Sequence, residues 1–180
     1  IYDRNYPKIS RYVSPRIRAW EHMESQEIFG QHVRCVLGVS DQVVADLSRF
    51  HPPISHKILM TACPGVTVPS LNDEEIRESG AFRFIFVGRE WKRKGLLFAI
   101  EVVSEFMNQS GVVSVLDVFG PTAESLPRSI RNNRMVSVKG WVKTIPYEKY
   151  DALIHPALKE PFGMVVAEAR AYGLPVLASQ

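Results

Sequence analysis

Residues 153–180 read LIHPALKEPFGMVVAEARAYGLPVLASQ. An apolar run, LIHPAL, comes first. A polar loop holding Glu160 follows, and Phe162-Gly163-Met164 opens a helix-forming stretch that stops at Gly173. PVLASQ (175–180) is a second apolar run. Strand, loop, helix and strand in that order make a right-handed crossover between parallel strands. The polar residues of this unit pose a question. Glu160 stands at the mouth of a core-seeking helix, and Glu168 stands in its middle with seven residues between them. The pair is either two solvated carboxylates on a surface helix or part of a ligand site at a helix N-terminus.

The same rhythm extends backwards. FRFIFVG (82–88), VVSVLDVFG (112–120) and MVSVKGWV (135–142) read as strands. GLLFAIEVVSEFMNQSG (95–111) reads as an amphipathic helix with a glycine stop, and ESLPRSIRN and YEKYDAL as helical turns. Alternation of this kind predicts an α/β domain with a Rossmann-like, doubly wound parallel sheet covered on both faces. Further back, VRCVLGVS (33–40) and KILMTACPG (57–65) read as strands around a helix, DQVVADLSRF, capped by Ser40 or Asp41. Residues 16–30 suit another helix, and 66–80 are polar and irregular, as a linker is.

In such sheets ligands bind beyond the carboxyl ends of the strands. That rule gathers the candidate residues. Gly163 lets a ligand approach the backbone, and the free amides and dipole of the following helix favour an anion. Glu160 faces the same crevice. Glu168 can lean back toward the helix N-terminus, where a carboxylate suits a pair of ribose hydroxyls. Gly88-Arg89-Glu90-Trp91-Lys92-Arg93-Lys94-Gly95 leaves another strand end, and Arg89 with Lys94 suits a diphosphate. The exits at Gly120 and at Gly140-Trp141 leave room for backbone contact with a ligand. His155 is either a core histidine or a phosphate or sugar contact. No Asp-x-Asp pair, Walker loop, GxSxG or GxGxxG occurs, and the histidines lack metal-ligand spacing.

These motifs resemble the retaining glycosyltransferases of family 4, which have the GT-B fold of two facing Rossmann-like domains. VGREWKRKG, VFGP, VKGWV and above all HPALKEPFGMVVAEARAYGLPV carry the resemblance, the last matching the family's Glu-x7-Glu element. It implies transfer of a sugar from a nucleotide-diphosphate sugar, such as a UDP- or GDP-sugar, to a saccharide or lipid-linked acceptor with retention. Lipopolysaccharide or related envelope polysaccharide synthesis is the implied setting. Glu160 then faces the donor sugar. Phe162, Gly163, Met164 and Val165 supply amides to sugar and diphosphate, Glu168 holds the ribose, and Arg89 and Lys94 hold the diphosphate without a metal or other cofactor. Residues 1–65 are then the end of an acceptor domain, 66–80 a linker and 81–180 a truncated donor domain. Most of the acceptor domain and the glycine-rich segment that follows PVLAS in the family are missing. The start at Ile1 also reads as that of an excised or processed piece. A GT-B epimerase and a non-catalytic, partner-binding homologue stay open as alternatives.

Composition sets the remaining bounds. The chain has 180 residues, is 46% hydrophobic and 23% charged, and carries a net charge of +3. That charge is too mild to argue for nucleic acid. Residues 1–18 hold Arg4, Lys8, Arg11, Arg16 and Arg18 against Asp3. This segment is either a solvated terminus or a surface that meets anionic lipid. Cys35 and Cys63 lie in apolar runs and are expected as buried thiols in a reducing cytoplasm. No apolar run reaches the roughly 18–20 residues of a membrane span. The expected location is therefore cytoplasmic, or peripheral at the inner face of a membrane. An open strand edge in the truncated sheet invites a dimer.

Overall fold

The structure is a computed structural model. It describes residues 30, 32–50, 57–67, 80–158 and 160–179, without the side chains of Phe50 and Ile58. The helix expected over 16–30, the basic segment 1–18 and nearly all of the linker 66–80 fall outside the described residues. The chain divides into two compact units, Ile1–Pro64 and Gly65–Gln180.

In the first unit, β1 (Cys35–Gly38) and β2 (Ile58–Thr61) pair in parallel, with α1 (Asp41–Phe50) between them in sequence. The expected cap is present: the N–H of Val43 donates to Ser40 Oγ at 3.3 Å. The Lys57 ammonium holds the entry to β1 by donating to the carbonyls of Gly30 and Val33 at 2.8 and 2.6 Å. The expectation of buried thiols is overturned, because Cys35 and Cys63 are both exposed. Strand side chains alternate between faces. Cys35 and Leu37 share the exposed face of β1, and Cys63 lies past the end of β2.

The second unit is built on a five-stranded parallel sheet in the order β5-β4-β3-β6-β7. The strands are β3 (Phe82–Val87), β4 (Ser114–Phe119), β5 (Val136–Gly140), β6 (Ala152–His155) and β7 (Val176–Ala178). The run read as LIHPAL thus stops at His155, because Pro156 has no N–H to offer the ladder. Between strands lie α2 (Leu96–Ser110), α3 (Arg128–Arg131) and α4 (Met164–Ala171), with single 3-10 turns at Ala123–Ser125 and Tyr147–Lys149. The chain order reverses at β3 and β6. Their carboxyl ends therefore form the switch point where ligands bind in open α/β sheets.

Alternation splits the core into two layers. Phe84, Phe86, Leu116, Val118 and Ile154 meet Leu96, Ala99 and Val103 of α2 on one face. Ile85, Phe119 and Leu153 meet Ala169, Tyr147, Tyr150 and Leu174 on the other. That second face also carries a buried carboxylate, Asp117, which is 2% exposed. Its Oδ2 accepts from Arg83 Nη2 at 2.9 Å and from the Tyr150 hydroxyl at 2.8 Å, and Lys139 Nζ lies 3.5 Å from Oδ1. A buried charge persists only when paired in this way. The Asp117 hydrogen bond holds the Arg83 guanidinium above its ordinary pKa, while burial and the bond to Asp117 push the Tyr150 phenol up. Asp117 pairs with Ser137, and Lys139, two residues further along β5, shares that face; past this point the register slips, so that Val118 pairs with Val138 but Phe119 with Gly140.

Gly95 brings the β3 and β6 loops together. It has φ of 77°, and a Cβ built on it would stand 2.2 Å from the carbonyl oxygen of Pro156. The loop that ends β6 therefore lies directly on the start of α2, an approach further tied by the Leu158 N–H donating to the Arg93 carbonyl at 3.0 Å. Gly95→Ala is expected to cost at least about 1–2 kcal/mol from the left-handed backbone alone, with the clash added. Chemical denaturation of the variant should show this as a lowered midpoint.

Candidate donor-binding site

Lys94 is the last residue before Gly95, so the approach at Pro156 carries its ammonium toward the β6–α4 loop. There it pairs with Glu160 Oε2. The stem of Lys94 lies over Gly88, where an added Cβ would come within 2.8 Å of Lys94 Cγ. Glu160 is held from its other side too, since its Oε1 accepts the N–H of Gly163 at 3.2 Å. Gly163 has φ of 82° and opens α4. The N–H groups of Met164 and Val165 make no hydrogen bond among the described residues, as the first turn of a helix leaves them without an internal acceptor.

His155 completes the group. It is 4% exposed, at the carboxyl end of β6. Its Nε2 lies 3.4 Å from Glu160 Oε2, beyond good hydrogen-bond length, and is buried with no hydrogen-bond partner among the described residues. Burial, and then the charge of Lys94, hold the imidazole below its ordinary pKa against the pull of Glu160. Burial alone would raise the Glu160 carboxyl, but the hydrogen bond and charge of Lys94 outweigh it and bring the carboxyl below its ordinary value.

The three neighbouring strand ends close up beside this group. The Gly88 N–H donates to the Phe119 carbonyl at 2.9 Å, and the Gly120 N–H to the Gly140 carbonyl at 2.7 Å. A Cβ on Gly120, whose φ is 114°, would meet the Arg89 backbone nitrogen at 2.8 Å. The Arg89 side chain is exposed and has no hydrogen-bond or ion-pair partner among the described residues. Trp141 is 70% exposed. Phe162 and Val165 are half-buried.

Contacts therefore join Gly88, Lys94, His155, Glu160 and Gly163 of the sequence-predicted residues, and link Arg89, Gly120 and Gly140 through the backbone. Trp141 joins no such contact. Glu168 is engaged elsewhere. Its Oε2 accepts the hydroxyl of Tyr147 at 2.7 Å, and Tyr147 is 3% exposed with its ring against Tyr172. Burial and the bond to Glu168 push the Tyr147 phenol well above its ordinary pKa. Sequence reasoning missed Tyr147, because no spacing rule links a residue in the turn YEKYDAL to a glutamate in the next helix.

The sequence profile of the family described as glycosyl transferases group 1 matches residues 81–180, more than half of the chain. The chain belongs to that family. An uncharacterized 41.2 kDa protein in the cps region of Klebsiella pneumoniae is 28% identical over 120 residues, covering 62% of this chain and 31% of the relative. Among solved structures, WaaG, described as a glycosyltransferase involved in lipopolysaccharide biosynthesis, superposes with a TM-score of 0.74 at 20% identity. That match covers 99% of this chain and 54% of WaaG. The pneumococcal O-GlcNAc transferase GtfA, solved in complex with UDP and GlcNAc, superposes with a TM-score of 0.68 at 19% identity, over 86% of this chain and 31% of GtfA. These likenesses show a GT-B-type, Rossmann-like fold. The chain spans about a third of the curated relative and about half or less of these structures.

Two stability measurements test the contacts. Tyr147→Phe removes a hydrogen bond to a charged acceptor and is expected to cost about 1.5–3 kcal/mol, read from urea unfolding. His155 has a folded pKa below its unfolded value of about 6.5. The unfolded chain therefore binds its proton first as pH falls, and stability drops below about pH 6.5 toward the lower folded pKa. Denaturation midpoints measured between pH 7.5 and 5 should fall less steeply in His155→Gln than in the parent chain.

Proposed function

We propose that the chain is the donor-binding part of a retaining glycosyltransferase that takes a sugar from a nucleotide-diphosphate sugar and passes it to a saccharide or lipid-linked acceptor. The observation that carries this reading is the convergence of Lys94, the Gly163 amide and the unpartnered Nε2 of His155 at the mouth of α4. A cation, a helix N-terminus and a buried polar atom at one point make a place for an anion. Membership of the family supports reading that anion as a diphosphate. Arg89, free at the end of β3, adds a second cation, and the open amides of Met164 and Val165 add donors.

The chemistry follows from charge. When the bond between sugar and diphosphate breaks, negative charge grows on the leaving oxygen. Lys94, Arg89 and the helix dipole oppose that charge with fixed positive potential. Such donors do not need to reorganise as the charge appears, so they act on the transition state more than on the bound substrate. In this reading the diphosphate needs no metal. Glu160 faces the sugar and Glu168 the ribose. Gly120 and Gly140 leave the backbone near the base. Residues 1–65 belong to the acceptor half. Envelope polysaccharide or lipopolysaccharide synthesis in the cytoplasm, with the basic segment 1–18 against the inner face of the membrane, is the proposed setting. A second copy of the chain can pair along the β7 edge.

The test is a thermal-shift and calorimetric panel of UDP, GDP and ADP with and without magnesium, on the chain and on Glu168→Ala. Stabilisation by one nucleotide without magnesium, weakened in Glu168→Ala, is the expected result. In the full-length enzyme, Lys94→Ala is expected to lower turnover by about 2–4 kcal/mol of transition-state stabilisation. Unchanged kcat in that variant removes Lys94 from the mechanism.

A further inference from the structure

Every partner of Glu160 is a group that the proposed function assigns to the donor or its diphosphate. Oε2 takes the Lys94 ammonium, Oε1 takes the Gly163 amide at the mouth of α4, and Nε2 of His155 lies 3.4 Å away with nothing else to bond. A carboxylate and a phosphate use the same donors. They cannot share them at contact, because two anions at one small site repel each other. As it stands, Glu160 fills the place that a diphosphate needs.

We propose that Glu160 is the site's own stand-in anion, and that it makes the site select a sugar-bearing diphosphate over a bare one. This rests on the reading of Lys94 and the α4 mouth as the diphosphate site. A bare diphosphate has to displace the carboxylate from Lys94 and Gly163 and leave it without a partner. A donor with its sugar in place offers hydroxyl groups to the displaced carboxylate. Part of the cost of displacement is then recovered only when the sugar is present. After transfer the hydroxyls depart with the acceptor, and the carboxylate returns to Lys94 in competition with the remaining nucleoside diphosphate. The pair thus helps to empty the site of product.

Two features equip Glu160 for this exchange. It lies in the loop between β6 and α4 rather than in a strand or helix, and its side chain keeps some exposure, 22%, while paired to Lys94. Its donors, in contrast, are fixed. Gly95, packed against the Pro156 carbonyl, sets the backbone next to Lys94, Gly163 is set by the left-handed turn into α4, and His155 is buried at the end of β6.

The experiment titrates inorganic pyrophosphate, which carries neither base nor sugar, into the chain and into Glu160→Gln and Lys94→Ala by calorimetry. Glutamine keeps the size of the side chain and removes its charge. Glu160→Gln is expected to bind pyrophosphate about tenfold more tightly than the parent chain, and Lys94→Ala to lose binding. Equal or weaker binding by Glu160→Gln, with binding still lost in Lys94→Ala, overturns the stand-in role and leaves the diphosphate site intact. Binding that survives in Lys94→Ala, or that is absent from every protein, overturns the diphosphate site and the stand-in role with it. Glu160→Ala serves as a second charge-free variant with the same expected direction, should Glu160→Gln fail to fold.

Discussion

The contact of Gly95 with the Pro156 carbonyl is the constraint on which the rest of the site depends. Only a residue without a side chain fits there, and only glycine takes that backbone turn at no steric cost. The contact fastens the end of β6 to the start of α2, two points far apart in sequence. Lys94 and Glu160 meet because of it, and His155 and Gly163 lie on the same loop. One glycine therefore fixes the distances among cation, carboxylate, imidazole and helix mouth.

Charge is handled differently on the two sides of the sheet's function. Asp117 is buried and given Arg83, Tyr150 and Lys139, and it ties three strands with the turn before β6. Its partners are all internal, so it stabilises without offering a ligand anything. Glu160 has internal partners too, but they stand at a strand end rather than inside the sheet. The same kind of interaction is structural in one place and exchangeable in the other. Position relative to the carboxyl ends of the strands makes the difference.

Much of this was legible from the residues. The alternation of apolar runs and helices in 82–180 specified the parallel sheet, since parallel strands need crossovers and buried strands need continuous apolar runs. Gly95, Gly111 and Gly163 marked helix ends in left-handed conformations. The glutamate at the helix mouth and the lysine after β3 were readable as candidate site residues, but their pairing was not, because nothing local couples positions so far apart. Asp117 carries its own signal: an aspartate inside VSVLDVF, with Arg83 and Lys139 on flanking strands, demands a buried pair. An apolar neighbourhood in sequence does not by itself bury a thiol. In a two-stranded sheet only alternate positions are covered, and Cys35 takes the open one.

Those thiols have a practical consequence. Cys35 and Cys63 are the two cysteines of the chain, and both belong to the first unit. A maleimide dye or spin label will mark that unit and leave the second unit, Gly65–Gln180, untouched. A paramagnetic or fluorescent reporter attached there leaves Lys94, His155, Glu160 and Gly163 unmodified. Air oxidation, by the same token, will join copies through the first unit. A covalent dimer on a non-reducing gel is then no sign that the β7 edge has paired.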